Sequence, residues 1–312
     1  MQQTRRLTEG AIVSGIFIVM LFLALFVPFL ISILLWFMPL PFIIYTARYG
    51  IKSALVMGTV TLFLSFVVGG LVGLPNALLA GAGGILAGEL IRRKKDAFLV
   101  LAGSSLAYIS VLLLIYAASL LILNIDPLAA LQDIMRQSTE QAESMLGALG
   151  QETAQNLEMW NEMIDQIGYL GPVLIVATAV SYAVISQWIA YAVLKRLRMD
   201  FEAFPPFREW NFPRAVLWYY LIVSVIFIIG VEEGSALYMV TWNLFPLLEV
   251  VMALQGFTVI FYFAYAKAWP KAVPVILLIS GLFLPFVLLL ARILGIIDLG
   301  FQLKKRLESY TK

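Results

Sequence analysis

Few side chains in this sequence could take part in bond-making chemistry, and no nucleophile–base pair can be assembled from them. Histidine and cysteine are both absent among the 312 residues, which removes imidazole catalysis, thiol nucleophiles, disulfides and thiolate metal sites. Serine triads fail for want of the base. Eight of the 19 acids are scattered through residues 124–168, the span interiors offer almost none, and Glu89, Glu249 and Asp298 are the ones in or beside apolar runs that stand out. Acid–base work needs titratable groups that converge on one pocket. The sequence predicts a protein that is not an enzyme, with no metal site and no cofactor.

The stretch "AGAGGILAGELIRRKK", residues 80–95, raises a different chemistry, because glycines before a cationic run could cradle a phosphate. A phosphate loop needs a strand, a turn and a helix in water, with amides free to point at the ligand. Here the glycines lie inside an apolar run, where backbone groups must stay paired within the helix. Gly84 and Gly88, four apart, instead form a face on which a second helix approaches closely. Glu89 is spaced to pair with Arg92 and Arg93, three and four residues on. Ala11 and Gly15 repeat the small-residue spacing near the amino terminus, as an intramolecular contact or as a docking face for another membrane protein. Asn243 and Glu249 are the intramembrane polar residues; such groups default to functional candidates, and a structural hydrogen-bonding role fits them equally. Asp298 is placed to cap a helix or to pair with the basic tail.

The elements that must position these groups are apolar helices. The chain is 62% hydrophobic and 13% charged, far from the composition of a soluble domain, and runs long enough to cross a bilayer recur. Hydropathy places spans near 8–27, 30–46, 53–74, 77–91, 97–123, 169–194, 214–231, 237–266 and 273–294. Thr8 reads as the cap of the first, Pro28 as the break after it, and Pro75 as the connection between the third and fourth, the fourth being short. Lys and Arg fall at alternate ends of the first six spans, which puts the amino terminus on the cytoplasmic side. Residues 124–168 carry Arg136 against eight acids and belong outside. There Asp126–Pro127 starts a helix, Leu128, Leu131 and Met135 recur at helical spacing with Met145, Leu146 and Leu149, and after Gly150 a second stripe runs through Leu157, Trp160 and Ile164. Two amphipathic helices in a hairpin follow.

Beyond the sixth span the charge rule frays, since a ninth crossing would carry Lys304, Lys305 and Arg306 outside. Either the tail is an exception or residues 237–266, with Asn243, Pro246 and Glu249, are a broken helix rather than one crossing. The organisation is therefore a six-span core, 1–198, containing the external insertion 124–168; a cytoplasmic elbow of prolines and aromatics, 199–214; and a carboxy-terminal membrane segment, 215–312, with two to three further spans. The fold class is all-α and integral to the membrane. The basic residues are split into short clusters at span ends, which excludes a nucleic-acid partner and leaves the lipid bilayer as the expected one.

The opening "TRRLTEGA", the "MPLPFIIYTARYG" that closes the second span, and the tail "LGIIDLGFQLKKR" resemble the YybS family of bacterial membrane proteins. The amino-terminal half also resembles the six-span S components of energy-coupling-factor transporters. In those, a small-residue motif on the first helix docks the T component, matched here by Ala11 and Gly15, while Pro41 and Gly50 echo the pattern of the second helix. That resemblance implies an outward-opening pocket for a vitamin-like solute at the outer ends of the fourth to sixth spans. Asn76, Tyr108, Tyr116, Tyr182 and Gln187 would line it, with Trp36 at its mouth, or would serve only as packing. The long acidic insertion and the extra spans depart from the pattern. Similarity in hydropathy to MreD implies the alternative, a membrane scaffold or regulatory protein of the envelope.

Overall fold

A computed structural model of the chain describes residues 2–148 and 154–306; the described residues form helices joined by irregular connections, with no strand among them. Six helices are long and apolar enough to cross a bilayer, and a bent helix pair would add one more. By their contacts the residues divide into two units, 1–151 with 174–204, and 152–173 with 205–312.

In the first unit, α1 (Gln2–Phe26) buries Gly10, Ser14, Phe17, Leu21 and Ala24, a four–three alternation that keeps one helical face inward. Because the helix already begins at Gln2, Thr8 does not cap it; the Thr8 hydroxyl donates back to the Thr4 carbonyl at 3.0 Å. Val27 is extended, and Pro28 occupies the first turn of α2 (Pro28–Phe37), which continues through Met38 into α3 (Pro39–Tyr49).

The next helix, α4 (Ile51–Arg92), is 42 residues long but is not a rod. The Ile51 amide donates to Glu89 Oε2 at 3.1 Å, whereas a straight helix would hold two residues 38 apart at about 57 Å. The chain reverses at Gly70, whose φ of 55° and ψ of −140° only glycine adopts at little cost. The third and fourth sequence spans are thus the two arms of a hairpin. Its turn lies at Gly70 rather than at the expected Pro75, which sits early in the return arm, within the helix. For the same reason the return arm is longer than the 77–91 that hydropathy marks. After it come α5 (Ala97–Leu121), capped by Asp96 through the Leu99 amide, and α6 (Pro127–Ala148), capped by Asp126 through the Leu128 amide. Leu149, the last residue of the first expected stripe, and Gly150, the expected interruption, lie outside the described residues.

In the second unit, α7 (Ala154–Ile167) leads into α8 (Gly171–Arg196), most of which belongs to the first unit. After the elbow, α9 (Ala215–Ile229) has 15 residues, about 22 Å, short of the ~30 Å hydrocarbon core and so not the full crossing that hydropathy marks. Then α10 (Ala236–Ala266) runs unbroken through Pro246, so the suspected break is not there. It lies between α11 (Ala272–Phe283) and α12 (Pro285–Phe301), which meet at 115° across Leu284, with Pro285 in the first turn of the latter. A continuous ninth crossing is therefore absent. Instead α12 lies across α10 at a contact made by two glycines. A Cβ on Gly256 would fall 1.7 Å from the Ala291 carbonyl oxygen, and one on Gly295 would fall 2.0 Å from that of Met252. The tail after α12 lands beside the elbow, where Lys304 Nζ donates to the Trp210 carbonyl at 2.5 Å. Elbow and tail thus share one end of this unit.

Candidate functional site

The residues expected to line a solute pocket divide into a packed cluster and two outliers. Tyr108 and Tyr182 meet edge to face at 4.8 Å between ring centroids, and Trp36 lies 5.9 Å from Tyr182. The Tyr182 hydroxyl donates to the Leu35 carbonyl at 2.9 Å. Tyr108 is fully buried and its ring occupies the place a side chain on Gly83 would take, 2.1 Å from an ideal Cβ there. With Ala179, Ala183, Leu79, Leu101, Ile109 and Leu112 around them, these rings fill the interior rather than edge a cavity. Asn76 bonds back to the Val72 carbonyl and Tyr116 reaches Asp126, so neither joins the cluster. Gln187, 1% exposed, donates from Nε2 to the Ala97 carbonyl and the Tyr191 hydroxyl; its Oε1 is buried without a partner, as is the Ser105 hydroxyl.

The two small-residue faces take opposite fates. Gly84 and Gly88 receive α3: a Cβ on Gly88 would meet the Ile43 carbonyl oxygen at 2.6 Å, and one on Gly84 the Pro39 carbonyl oxygen at 2.9 Å. One turn on, Glu89 is 3% exposed and binds both neighbouring guanidiniums, at 2.8 Å to Arg92 and 2.7 Å to Arg93. Its second oxygen takes the Ile51 amide, so one carboxylate caps the outgoing arm of the hairpin and neutralises the end of the returning one.

Ala11 and Gly15 face outward. Ala11 is exposed, and nothing lies within 4 Å of where a Cβ on Gly15 would stand. Exposed Ile12, Ile16 and Val19 continue that surface. Ala11 also lines a cleft of about 370 Å³ with Gly10, Ser14, Val56, Met57 and Val60, where Arg6 and Lys52 supply positive charge. Glu9, the nearest acid on α1, is engaged by Arg5 and Arg48 at 3.0 and 3.2 Å. The cleft is therefore apolar along its floor and cationic at one end. It is the open, charge-marked surface of this unit.

The intramembrane polar residues are both tied into the second unit. The Asn243 side chain accepts from the Val173 amide at 2.9 Å and donates to the Tyr169 and Met239 carbonyls at 2.8 and 2.7 Å. Glu249 pairs with Arg292, linking α10 to α12. Sequence reasoning passed over Arg292, although a lone cation and a lone acid in apolar segments must seek each other. It also missed Gln255, fully buried, which donates to Asp298 Oδ2 at 2.5 Å and accepts from the Phe212 amide at 3.0 Å. Asp298 pairs with the basic tail as its position suggested, accepting the Lys304 amide at 2.9 Å and lying 3.7 Å from its ammonium.

Comparison with known proteins agrees with a membrane protein of this length. The family described as "Predicted membrane protein (DUF2232)" matches residues 15–299. The uncharacterized protein YybS of Bacillus subtilis (strain 168) is 33% identical over 311 residues, covering 99% of this chain and 100% of that one. No solved structure matches. The chain belongs to the DUF2232 family of membrane proteins.

Proposed function

We propose that this protein is a non-catalytic subunit of a membrane complex, a scaffold whose first helix receives a transmembrane helix of a different protein. The observation that carries the reading is the outward placement of Ala11 and Gly15 over open space beside the cleft of α1, while Gly84 and Gly88 are covered from within. Small residues give lipid little to pack against but let two backbones approach, and close packing is the main attraction between helices in a bilayer. Arg6 and Lys52 at the cleft select an occupant with an acidic residue at the same end of its helix. The S-component resemblance, in which this face docks a T component, supports the same surface.

The test is a photocrosslinker at Ile12 in native membranes, combined with the double substitution Ala11→Leu/Gly15→Leu. The expected product is one membrane protein, captured through a helix with an acid near its end and lost in the double variant, which itself inserts and melts like wild type. Capture of a second copy of this chain, or a complex indifferent to both leucines, overturns the proposal.

A second reading, a solute-binding uptake subunit, is favoured by one observation: Gln187 Oε1 and Ser105 Oγ are buried with no partner among the described residues. Native mass spectrometry of the purified chain should then find a small polar molecule that Gln187→Leu releases. A bare protein in both cases removes this reading.

A further inference from the structure

The elbow and the tail enclose a second feature, independent of the docking face. The elbow carries a short 3-10 turn, Phe207–Glu209, and packs on α10 through the Phe207 ring, 5.1 Å from that of Phe261. The tail leaves α12 through Gln302, held in the left-handed region at φ 54°. Between them is a cavity of about 250 Å³ lined by Arg208, Asn211, Arg214, Asp298, Gln302 and Lys305, among others. A neighbouring depression shares Arg214, Gln302 and Lys305 with it and adds Arg306.

The charges at this cavity do not cancel. Asp298, on the floor, is satisfied by Gln255, the Lys304 amide and the Lys304 ammonium. Glu209 pairs with Arg208 at 3.4 Å, and the Arg208 guanidinium lies 3.9 Å over the Tyr265 ring. Both acids in the lining are therefore matched. Arg214 and Lys305 are left exposed with no acidic partner among the described residues, and both line the cavity and the neighbouring depression together with the amide-bearing Gln302. Asn211 spends its side-chain oxygen on Gln255 and so turns its amide donors outward as its remaining capacity. Two unmatched cations and neutral amide donors lining one cavity match a phosphate group, which offers several acceptor oxygens and negative charge. Phe301, which lines the neighbouring depression, is 63% exposed, and Trp218 and Tyr219, near the start of α9 and a few residues after Arg214, are exposed to a similar degree. Aromatic residues at the start of an apolar helix sit at headgroup depth.

We propose that Arg214 and Lys305, with the amides of Gln302 and Asn211, bind a phosphate group at this cavity, the phosphodiester of an anionic phospholipid headgroup or a soluble phosphate. The full chain in detergent, titrated with phosphatidylglycerol and followed by native mass spectrometry, should retain bound lipid. Arg214→Gln/Lys305→Gln should bind it roughly thirty-fold more weakly. The charge-conserving exchange Arg214→Lys/Lys305→Arg should keep most of the affinity, and Lys267→Gln/Lys271→Gln, which removes as much charge elsewhere, should leave it unchanged. Inorganic phosphate in a parallel titration separates the sources: if it binds through the same pair while the lipid does not, the ligand comes from solution. Lipid and phosphate binding both unaltered in the Arg214/Lys305 double glutamine variant, or lowered equally by the Lys267/Lys271 variant, would overturn the site. Because neither Arg214 nor Lys305 has an acidic partner among the described residues, the double variant should melt with wild type. A thermal scan of each variant keeps loss of binding distinct from loss of fold.

Discussion

Asp298→Leu melts the carboxy-terminal unit well below the wild-type transition, a loss of about 3 kcal/mol or more, the cost of removing one partner from a buried charge pair. The carboxylate is 3% exposed, accepts from two donors, Gln255 Nε2 and the Lys304 amide, and pairs with the Lys304 ammonium at 3.7 Å. Leucine of similar size leaves the amide donors without acceptors and a half-buried cation without its counter-charge. The Lys304 group adds a pH signature. Burial lowers its pKa from the ordinary lysine value, and Asp298 partly restores it. A lysine whose folded pKa lies below its unfolded one holds fewer protons folded than unfolded between the two values, so stability rises with pH across that window up to about 10.5. Without Asp298 the window extends further down. Melting curves from neutral pH to pH ~10 should show a steeper rise for Asp298→Leu than for wild type, and Lys304→Met should flatten both. A Lys304→Met background in which Asp298→Leu costs as much as before would refute the pairing.

Gly88→Leu abolishes accumulation of the folded protein, whereas Gly15→Leu, the same chemical change on the other small-residue face, leaves the isolated chain as stable as wild type. At Gly88 the first added carbon would stand 2.6 Å from the Ile43 carbonyl oxygen and 3.2 Å from the Ala47 amide nitrogen. Both are backbone atoms, so no rotamer change relieves the clash, and α3 must move away from the hairpin. Overpacking a tight site costs about 1–3 kcal/mol for extra methylenes, and four added carbons against backbone exceed that range. At Gly15 no atom lies within 4 Å. Expression level and detergent melting temperature of the two single variants decide the matter; equal behaviour would mean that the two faces are not distinct.

How much of this was legible in the sequence depends on how far apart the partners are. Interactions within one or two helical turns could be read directly. The Glu89 pairing with Arg92 and Arg93 follows from spacing, the α6 start from Asp126–Pro127, and the all-helical membrane architecture from hydropathy. The third bond of Glu89, to the Ile51 amide 38 residues away, could not be read, because nothing local distinguishes it. The hairpin turn was misplaced for a different reason. Proline is a louder breaker than glycine in an apolar run, so Pro75 drew the boundary that Gly70, able to adopt a positive φ, in fact makes. The 115° bend had a visible signal in Pro285 together with a basic tail on the wrong side of the charge pattern, but Pro246 and Glu249 drew attention to α10 instead. In the candidate solute site the residue types were right for a pocket, and only packing distinguishes a ring that lines space from one that fills it. Tyr108 against Gly83 fills it.

The contact between Lys304 and the Trp210 carbonyl has a bearing on how the protein is made. The two residues are 94 positions apart, so at ordinary rates of translation roughly 5–20 s separate their synthesis. During that interval the elbow has left the ribosome, yet the ammonium that accompanies its carbonyl and the carboxylate that fixes Gln255 are still to come. Newly made elbows should therefore be open to protease until the last helix is in place, and chaperones that guard half-inserted chains have a defined stretch of polypeptide to recognise.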